Sequence, residues 1–185
     1  MADKFPWDIL SNADFEQAMS LLGGHQREPD LIIAPDGNPY LYRWHLQRNF
    51  TPEGGGCGSN MHVQVASDPE RPLHNHPWDN MSVILGGAGY EEWLQKMPPH
   101  GDTLVYTRRV GDVIFRRAKE AHRLIMPEHG VYTLTQFTFG PKINHWGFWY
   151  DEGFRPYETV TKMEGNKSIH VKGTDARRTD DEPTQ

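Results

Sequence analysis

The alternation of apolar and polar residues predicts a chain built mostly of short β-strands. Runs rich in Val, Ile, Leu, Phe and Tyr recur between clusters of Gly, Pro, Asn and Asp, which are typical turn residues. In chain order, the predicted strands cover residues 31–33, 40–46, 61–66, 80–86, 89–94, 103–107, 112–116, 122–126 and 131–139. Short strands at this even spacing favour a sandwich or a barrel over alternating strands and helices.

One segment near the N-terminus has the period of a helix. Between residues 13 and 22, apolar residues recur at positions i, i+3, i+4 and i+7, which form one face of an α-helix. Ser11 or Asn12 can cap its first turn, and the pair Gly23 and Gly24 can end it. The pattern therefore predicts an all-β fold with one N-terminal helix.

Residues 1–163 are predicted to form a single domain and residues 164–185 a C-terminal tail. A chain of 185 residues is long enough for one compact domain and too short for two comfortable ones. The final stretch is polar and charged, with almost no apolar periodicity. The glycine-rich residues 54–58 lack the preceding strand and the following helix of a dinucleotide-binding loop, so we interpret them as a flexible loop.

Composition and charge exclude several classes of function. The formal net charge of −6 disfavours nucleic-acid binding, which requires a basic surface. The chain has no apolar run of about 18 residues to span a membrane, and its first residues lack the features of a secretion signal. The single cysteine, Cys57, excludes a disulfide framework and a cysteine-rich zinc site. We therefore expect a cytoplasmic protein with a small-molecule substrate, and an exposed strand edge would permit a homodimer.

Two closely spaced histidines form the most informative motif. His74 and His76 are two residues apart, and in an extended chain residues i and i+2 point to the same face. Their rings can therefore bind one metal ion, although two surface histidines would give the same pattern. The pair stands just before the predicted strand 80–86, and a third histidine, His122, opens another predicted strand.

These positions resemble the first motif of the cupin superfamily, G-x5-H-x-H-x(3,4)-E-x6-G. His74 and His76 match its histidines, and Gly87 stands at its closing glycine. Asp68 replaces the opening glycine, and Asn80 occupies the position of the glutamate.

The second cupin motif, G-x5-P-x-G-x2-H-x3-N, is matched at Gly111 and His122, while Arg117, Lys119 and Met126 occupy its other positions. The two motifs span a core over residues 61–139. Residues 68–78 and 146–158 also resemble a family of small bacterial and phage cupins with an H-x-H-P-W motif. The resemblance implies a cupin-type double-stranded β-helix, or jelly roll, around an interior site.

The resemblance also implies a metal centre made of three neutral imidazoles, those of His74, His76 and His122. An amide binds metal poorly, so Asn80 is not expected to replace the missing carboxylate ligand. Three protein ligands with open positions are typical of a catalytic centre. Imidazole suits Fe, Zn, Cu or Ni, and Mn is also open, but three-histidine cupins such as the thiol dioxygenases and ring-cleaving oxygenases use Fe(II).

Other residues could complete the centre or contact a substrate. A carboxylate ligand could come from nearby acidic residues, which are Asp68, Asp79, Glu91 and Glu92. His62 lies on a predicted strand and could point to the same interior. The candidates for substrate binding are Trp78, Asn80, Arg116 and Gln136.

Arg116 is a candidate because strand alternation directs either Arg116 or Arg117 to the interior. A buried arginine requires a partner. That partner could be a substrate carboxylate or phosphate, or a salt bridge to Glu91, Glu92 or Asp112.

Three functions fit these features. The first is an Fe(II)-dependent oxygenase that acts on a small, anionic organic molecule. The second is a non-oxidative metal-dependent isomerase, lyase or hydrolase, in which the ion acts as a Lewis acid. The third is a cupin that binds a metal or a small molecule without turnover.

Overall fold

The protein is a sandwich of antiparallel strands preceded by one α-helix. The computed structural model describes residues 5–34, 37–50, 55–68, 72–164 and 167–170. Its helical elements are a 3₁₀ turn (Trp7–Ile9), α1 (Asn12–Leu21) and a 3₁₀ turn (Tyr157–Thr159). Its strands are β1 (Asp30–Ile33), β2 (Pro39–Phe50), β3 (Gly56–Gln64), β4 (Asn80–Gly87), β5 (Tyr90–Gln95), β6 (Thr103–Arg108), β7 (Val113–Arg116), β8 (Ala121–Ile125), β9 (Thr133–Phe139), β10 (Gly147–Tyr150), β11 (Gly153–Pro156), β12 (Thr161–Glu164) and β13 (Lys167–His170).

The larger layer is a sheet of eight strands. Their order is β12-β13-β1-β2-β3-β9-β4-β7, and every neighbouring pair is antiparallel except β1 with β13. Side chains alternate between the two faces of such a sheet. On its outer face, the apolar residues of β1, β2, β3 and β9 pack against α1 and the segment before it. The buried residues of this outer core are Phe5, Leu10, Ala18, Leu22, Leu31, Tyr42, Trp44, Met61, Val63 and Leu134.

The smaller layer combines the sheet β6-β5-β8 with the hairpin β10–β11. The segment around His74 joins them, because His74 forms single β-bridges to His122 of β8 and to Phe148 of β10. From β4 to β10 the chain passes repeatedly between the two layers, which is the connectivity of a jelly roll. Ile84 and Ile114 of the larger sheet pack against Tyr90 of the smaller one, so the inner faces meet in a second core.

These features confirm the predicted fold class and most of the predicted elements. Helix α1 begins after Ser11, whose Oγ accepts a hydrogen bond of 3.2 Å from the backbone N–H of Asp14. No helix in the described ranges is long and apolar enough to cross a membrane.

Two segments differ from the prediction. β3 begins at Gly56, so part of the glycine-rich segment is strand rather than loop. A Cβ on Gly58 would lie 2.4 Å from the Phe139 ring, so close packing requires the glycine there. The predicted boundary at residue 163 falls inside β12, and β13 pairs with β1 beyond it. Residues 171–185 of the predicted tail lie outside the described residues.

Candidate metal centre

The three predicted histidines converge between the two layers. One ring nitrogen each from His74, His76 and His122 lies within 4.8 Å of the other two. The Nε2 atoms of His76 and His122 are 2.9 Å apart. The ring centroids of the three side chains are 4.7 to 5.2 Å apart. His122 is buried and the other two are partly buried, so the cluster is partly accessible to solvent.

Backbone hydrogen bonds hold the two halves of this cluster together. The N–H of His74 donates to the carbonyl of His122 at 3.0 Å, and the N–H of His122 donates to the carbonyl of His74 at 2.8 Å. Between the two ligand histidines, the buried Asn75 points away from the cluster. Its amide donates to the carbonyl of His145 and accepts from the N–H of Gly147. The H-x-H segment is therefore fixed on both of its sides.

A buried carboxylate orients the ring of His122. The Nδ1 of His122 lies 3.1 Å from Oε1 of Glu92, which is completely buried. A neutral His122 that donates its Nδ1 proton to Glu92 presents the lone pair of Nε2 to His76 and His74. Such a carboxylate behind a histidine is a common support for a metal ligand.

Two arginines balance the charge of Glu92. Nε of Arg116 donates to Oε1 of Glu92, and Nη2 of Arg108 lies 2.6 Å from Oε2. Burial by itself would raise the pKa of Glu92, but the hydrogen bond from His122 and the charge of Arg116 hold this pKa far below its usual range. Glu92 is therefore ionised near neutral pH.

The four candidate carboxylates do not join the histidines. Within the described ranges, the cluster contains imidazoles only. Glu92 lies behind His122, and Asp68 lies behind His74, with its Oδ2 at 3.9 Å from Nδ1 of that ring. Asp79 accepts hydrogen bonds from Arg117 and from the N–H of Ala118, and the exposed Glu91 accepts from the Trp93 indole.

Two of the three histidines, His76 and His122, are held in their neutral form near pH 7. Burial, followed by the charge of Arg116, lowers the pKa of His122 to about 3. Burial, followed by the neighbouring His122 and His74, lowers the pKa of His76 well below its usual value. A metal ion must displace protons from charged imidazoles, so neutral rings remove that competition near pH 7.

The candidates for substrate binding occupy different places. Asn80 is buried on the inner face of β4, where its Nδ2 donates to the carbonyl of Trp78 and its Oδ1 has no partner among the described residues. The ring centroids of Trp78 and Phe139 are 4.4 Å apart. Phe139 in turn packs against Phe137, and Phe137 packs against His76. Both candidates therefore border the inner wall that leads to the histidines.

The other two candidates have protein partners. Arg116 points inward and Arg117 outward, as alternation predicts, and Arg116 forms the salt bridge to Glu92 that the sequence left open as an alternative. Gln136 lies on the outer face of β9 and donates to Ser59 at 3.3 Å. The structure does not bring Gln136 to the histidines.

Two contributions to the site, the packing of Phe137 and the support that Glu92 gives to His122, were not identified from the sequence, whereas Phe148 was among the aromatic residues expected to wall a pocket. Phe137 packs against His76 and Phe148 against His74, with ring centroids at 5.5 and 5.9 Å. Glu92 was considered as a metal ligand and as a salt-bridge partner of an arginine, but not as a support for His122. The sequence could have predicted that Glu92 points to the interior, because it alternates with the exposed Glu91 and Trp93 along β5 and shares a face with Tyr90.

The depressed histidine pKa values predict that the metal-free protein loses stability in acid. Burial, followed by the charge of Arg43, lowers the pKa of His62 to about 3, whereas an unfolded histidine titrates near pH 6.5. Below pH 6.5 the unfolded state therefore binds protons that the folded state does not. The free energy of unfolding should fall by about 1.4 kcal/mol per pH unit for each such histidine until about pH 3.

Urea titrations of the metal-free protein between pH 8 and pH 5 measure this slope. His62→Gln should make the slope shallower, because it removes one of these groups. The exposed His129 offers a matched control, since His129→Gln should leave the slope unchanged. An equal slope in wild type and His62→Gln would contradict the assignment.

Comparisons with known proteins give distant structural matches only. No protein-family model matches the sequence, and no curated protein matches it. Several solved structures resemble it. An RmlC-like cupin from Shewanella frigidimarina is 21% identical, with a TM-score of 0.37, over 55% of this chain and 76% of its own. The polyketide cyclase RemF from Streptomyces resistomycificus is 18% identical, with a TM-score of 0.44, over 68% of this chain and 77% of its own.

The hydroxypropylphosphonic acid epoxidase from S. wedmorenis is 12% identical, with a TM-score of 0.43, over 63% of this chain and 60% of its own. All three are cupin-type proteins, and their different activities assign none to this chain. By its own strand topology, the chain is an all-β protein with a jelly-roll fold, in which three histidines converge between the layers.

Proposed function

We propose that the chain is a metal-dependent enzyme in which His74, His76 and His122 bind one divalent ion. The distance of 2.9 Å between Nε2 of His76 and Nε2 of His122 carries this proposal. Two imidazole nitrogens, each about 2.1 Å from one ion and at right angles to each other, are about 3 Å apart. The neutral state of His76 and His122, and the contact of His122 Nδ1 with Glu92, fit the same role.

We propose further that the ion is Fe(II) and that the reaction is the oxidation of a small anionic molecule by dioxygen. Three neutral ligands leave the charge of the ion uncompensated, which favours an anionic substrate. They also leave open coordination positions, at which a bound Fe(II) ion would bring dioxygen and substrate together. The resemblance to three-histidine oxygenases supports the choice of iron.

The residues of the chain prepare this site in three ways. Glu92 holds the Nδ1 proton of His122, so that Nε2 keeps its lone pair toward the centre. Phe137 and Phe148 pack beside the rings of His76 and His74, with centroids 5.5 and 5.9 Å apart, and give the centre an apolar border. Asn80 offers an unpartnered buried oxygen, which can accept a hydrogen bond from a substrate.

The expected homodimer and cytoplasmic location remain predictions. β7 is an edge strand of the larger sheet in the described topology, and its Phe115 is 75% exposed. An edge strand with an exposed aromatic residue supports the expectation of self-association.

Elemental analysis and an oxygen electrode test the proposed function together. We expect about one equivalent of iron in protein purified without chelators and oxygen uptake with a member of a panel of thiols, phenols and 2-oxo acids. His76→Ala should abolish uptake, while His129→Ala should retain it. Full turnover without oxygen would refute the oxygenase and favour an enzyme in which the ion acts as a Lewis acid. Purified protein that contains no metal would refute the metal centre.

A further inference from the structure

A second polar cluster lies on the inner face of the larger sheet, on β1, β2 and β3. Its members are Asp30, Arg43, His45, Asn60 and His62. The strand register places them on one face, because Asp30 pairs with Arg43, Arg43 with His62, and His45 with Asn60. Asn60 also pairs with Phe137, whose ring packs against His76. The polar cluster therefore shares the inner wall with the three ligand histidines.

Several polar atoms of this cluster are bonded within it. His45 spans Asn60 and Asp30, with its Nδ1 at 2.8 Å from Asn60 Oδ1 and its Nε2 at 2.7 Å from Asp30 Oδ2. Nη2 of Arg43 donates to the same Asp30 oxygen at 3.2 Å. Asp30 and His45 are thus already occupied by protein partners.

Two nitrogen atoms in the cluster lack such a partner. Nε of Arg43 and Nε2 of His62 are both buried, and neither has a hydrogen-bond partner among the described residues. An unpaired buried donor costs about 1–3 kcal/mol, so native proteins rarely keep one without a functional reason. Two of them on paired residues of adjacent strands indicate a place where a ligand supplies the missing acceptor.

The position and charge of these nitrogens define that ligand. The ring of His62 stacks on Phe137 with centroids 5.3 Å apart and an interplanar angle of 22°, so Phe137 contacts both His62 and His76. Arg43 is permanently charged, and Arg48, which contacts His45, adds a second positive charge. Asp30 balances only one of the two. The surplus positive charge favours an anionic group.

We propose that Arg43 and His62 bind the anionic oxygen group of the substrate, a carboxylate or a phosphate. Nε–H of Arg43 and Nε2–H of His62 donate to its oxygens, while the other end of the molecule reaches the ligand histidines. The substrate is then a small molecule with an anionic group at one end and a metal-binding atom at the other. This inference rests on the proposed metal centre for its second contact.

An NMR titration tests the subsite apart from catalysis. The full chain, labelled at histidine and loaded with diamagnetic Zn²⁺, is titrated with acetate, with inorganic phosphate and with neutral acetamide. We expect the His62 ring resonance to shift saturably with one or both anions and not with acetamide. The anion that binds more tightly distinguishes a carboxylate from a phosphate subsite.

Variants separate this subsite from the metal. Arg43→Gln should weaken anion binding at least tenfold without changing the Zn²⁺ stoichiometry. Arg43→Lys keeps the charge but loses Nε–H, so its anion affinity should lie between those of wild type and Arg43→Gln. Because anions also bind zinc, the titration is repeated on metal-free His76→Ala, in which the His62 shift should persist. In this variant the response cannot come from the metal.

Each outcome decides one of the two proposals. Zinc binding without a saturable His62 shift overturns the subsite and leaves the metal centre standing. A His62 shift that is the same in Arg43→Gln, or the same with acetamide, also overturns the subsite. A chain that binds no zinc but keeps the anion-dependent shift supports the subsite and refutes the metal centre.

Discussion

Replacement of His76 by alanine is expected to lower the affinity for a divalent ion by at least about 100-fold and to remove all metal-dependent activity. Loss of a partner that merely supports a ligand costs about 10–100-fold, so loss of a ligand itself should cost at least as much. The two remaining rings, His74 and His122, cannot hold the ion in three positions. Competition with a chromophoric chelator measures the affinity directly, without knowledge of the substrate.

The fold should survive this change. Among the described residues, His76 forms no ion pair, and its ring contacts His74, His122 and Phe137 rather than the apolar outer core. Circular dichroism and a urea midpoint check that the variant is folded. His129→Ala, at an exposed position, is the matched control and should bind the ion as wild type does. Equal affinity in His76→Ala and wild type would refute the metal centre.

Replacement of Glu92 by glutamine should damage both stability and metal binding. Arg116, which is 4% exposed, would lose its ionic partner in the protein interior. A buried charge without its partner typically costs about 3–5 kcal/mol of the free energy of unfolding. The ring of His122 would also lose its anionic hydrogen-bond acceptor, so metal affinity should fall about 10–100-fold.

The adjacent Glu91 provides a control for this variant. Glu91 is exposed on the same strand, so Glu91→Gln should change stability by no more than about 0.5 kcal/mol and leave metal affinity unchanged. Urea denaturation measures the first effect and the chelator assay the second. If Glu92→Gln matched Glu91→Gln in both assays, Glu92 would not support His122.

Most strands of this fold could be predicted from local sequence patterns. The strands that carry the site, β4, β8 and β9, have dense apolar or β-branched residues and clear turns at their ends. The pairing of His74 and His76 on one face follows from the period of an extended chain, and the third ligand follows from the cupin motif. These features depend on residues that are close in sequence or matched to a motif.

The supports of the site depend on contacts that no local pattern reveals. Glu92 meets His122 because β5 and β8 are neighbours, and it meets Arg116 only across the gap between the layers. β13 was missed for a different reason: it lies in a polar stretch, and its parallel pairing with β1 uses backbone groups that every sequence possesses. Alternation in β9 places Gln136 and Phe137 on opposite faces of the sheet, but the sequence does not show which of these faces points to the interior.

The reciprocal backbone bonds between His74 and His122 have a consequence for how the ion is acquired. In small zinc domains the chain is unfolded without the ion, and metal binding brings the ligands together; removal of the ion unfolds the chain again. Here backbone hydrogen bonds hold two of the three proposed ligands together without any contribution from an ion. The polypeptide should therefore fold without a metal ion. Metal binding is then a late and reversible step, and the metals available in the surroundings decide which ion is bound.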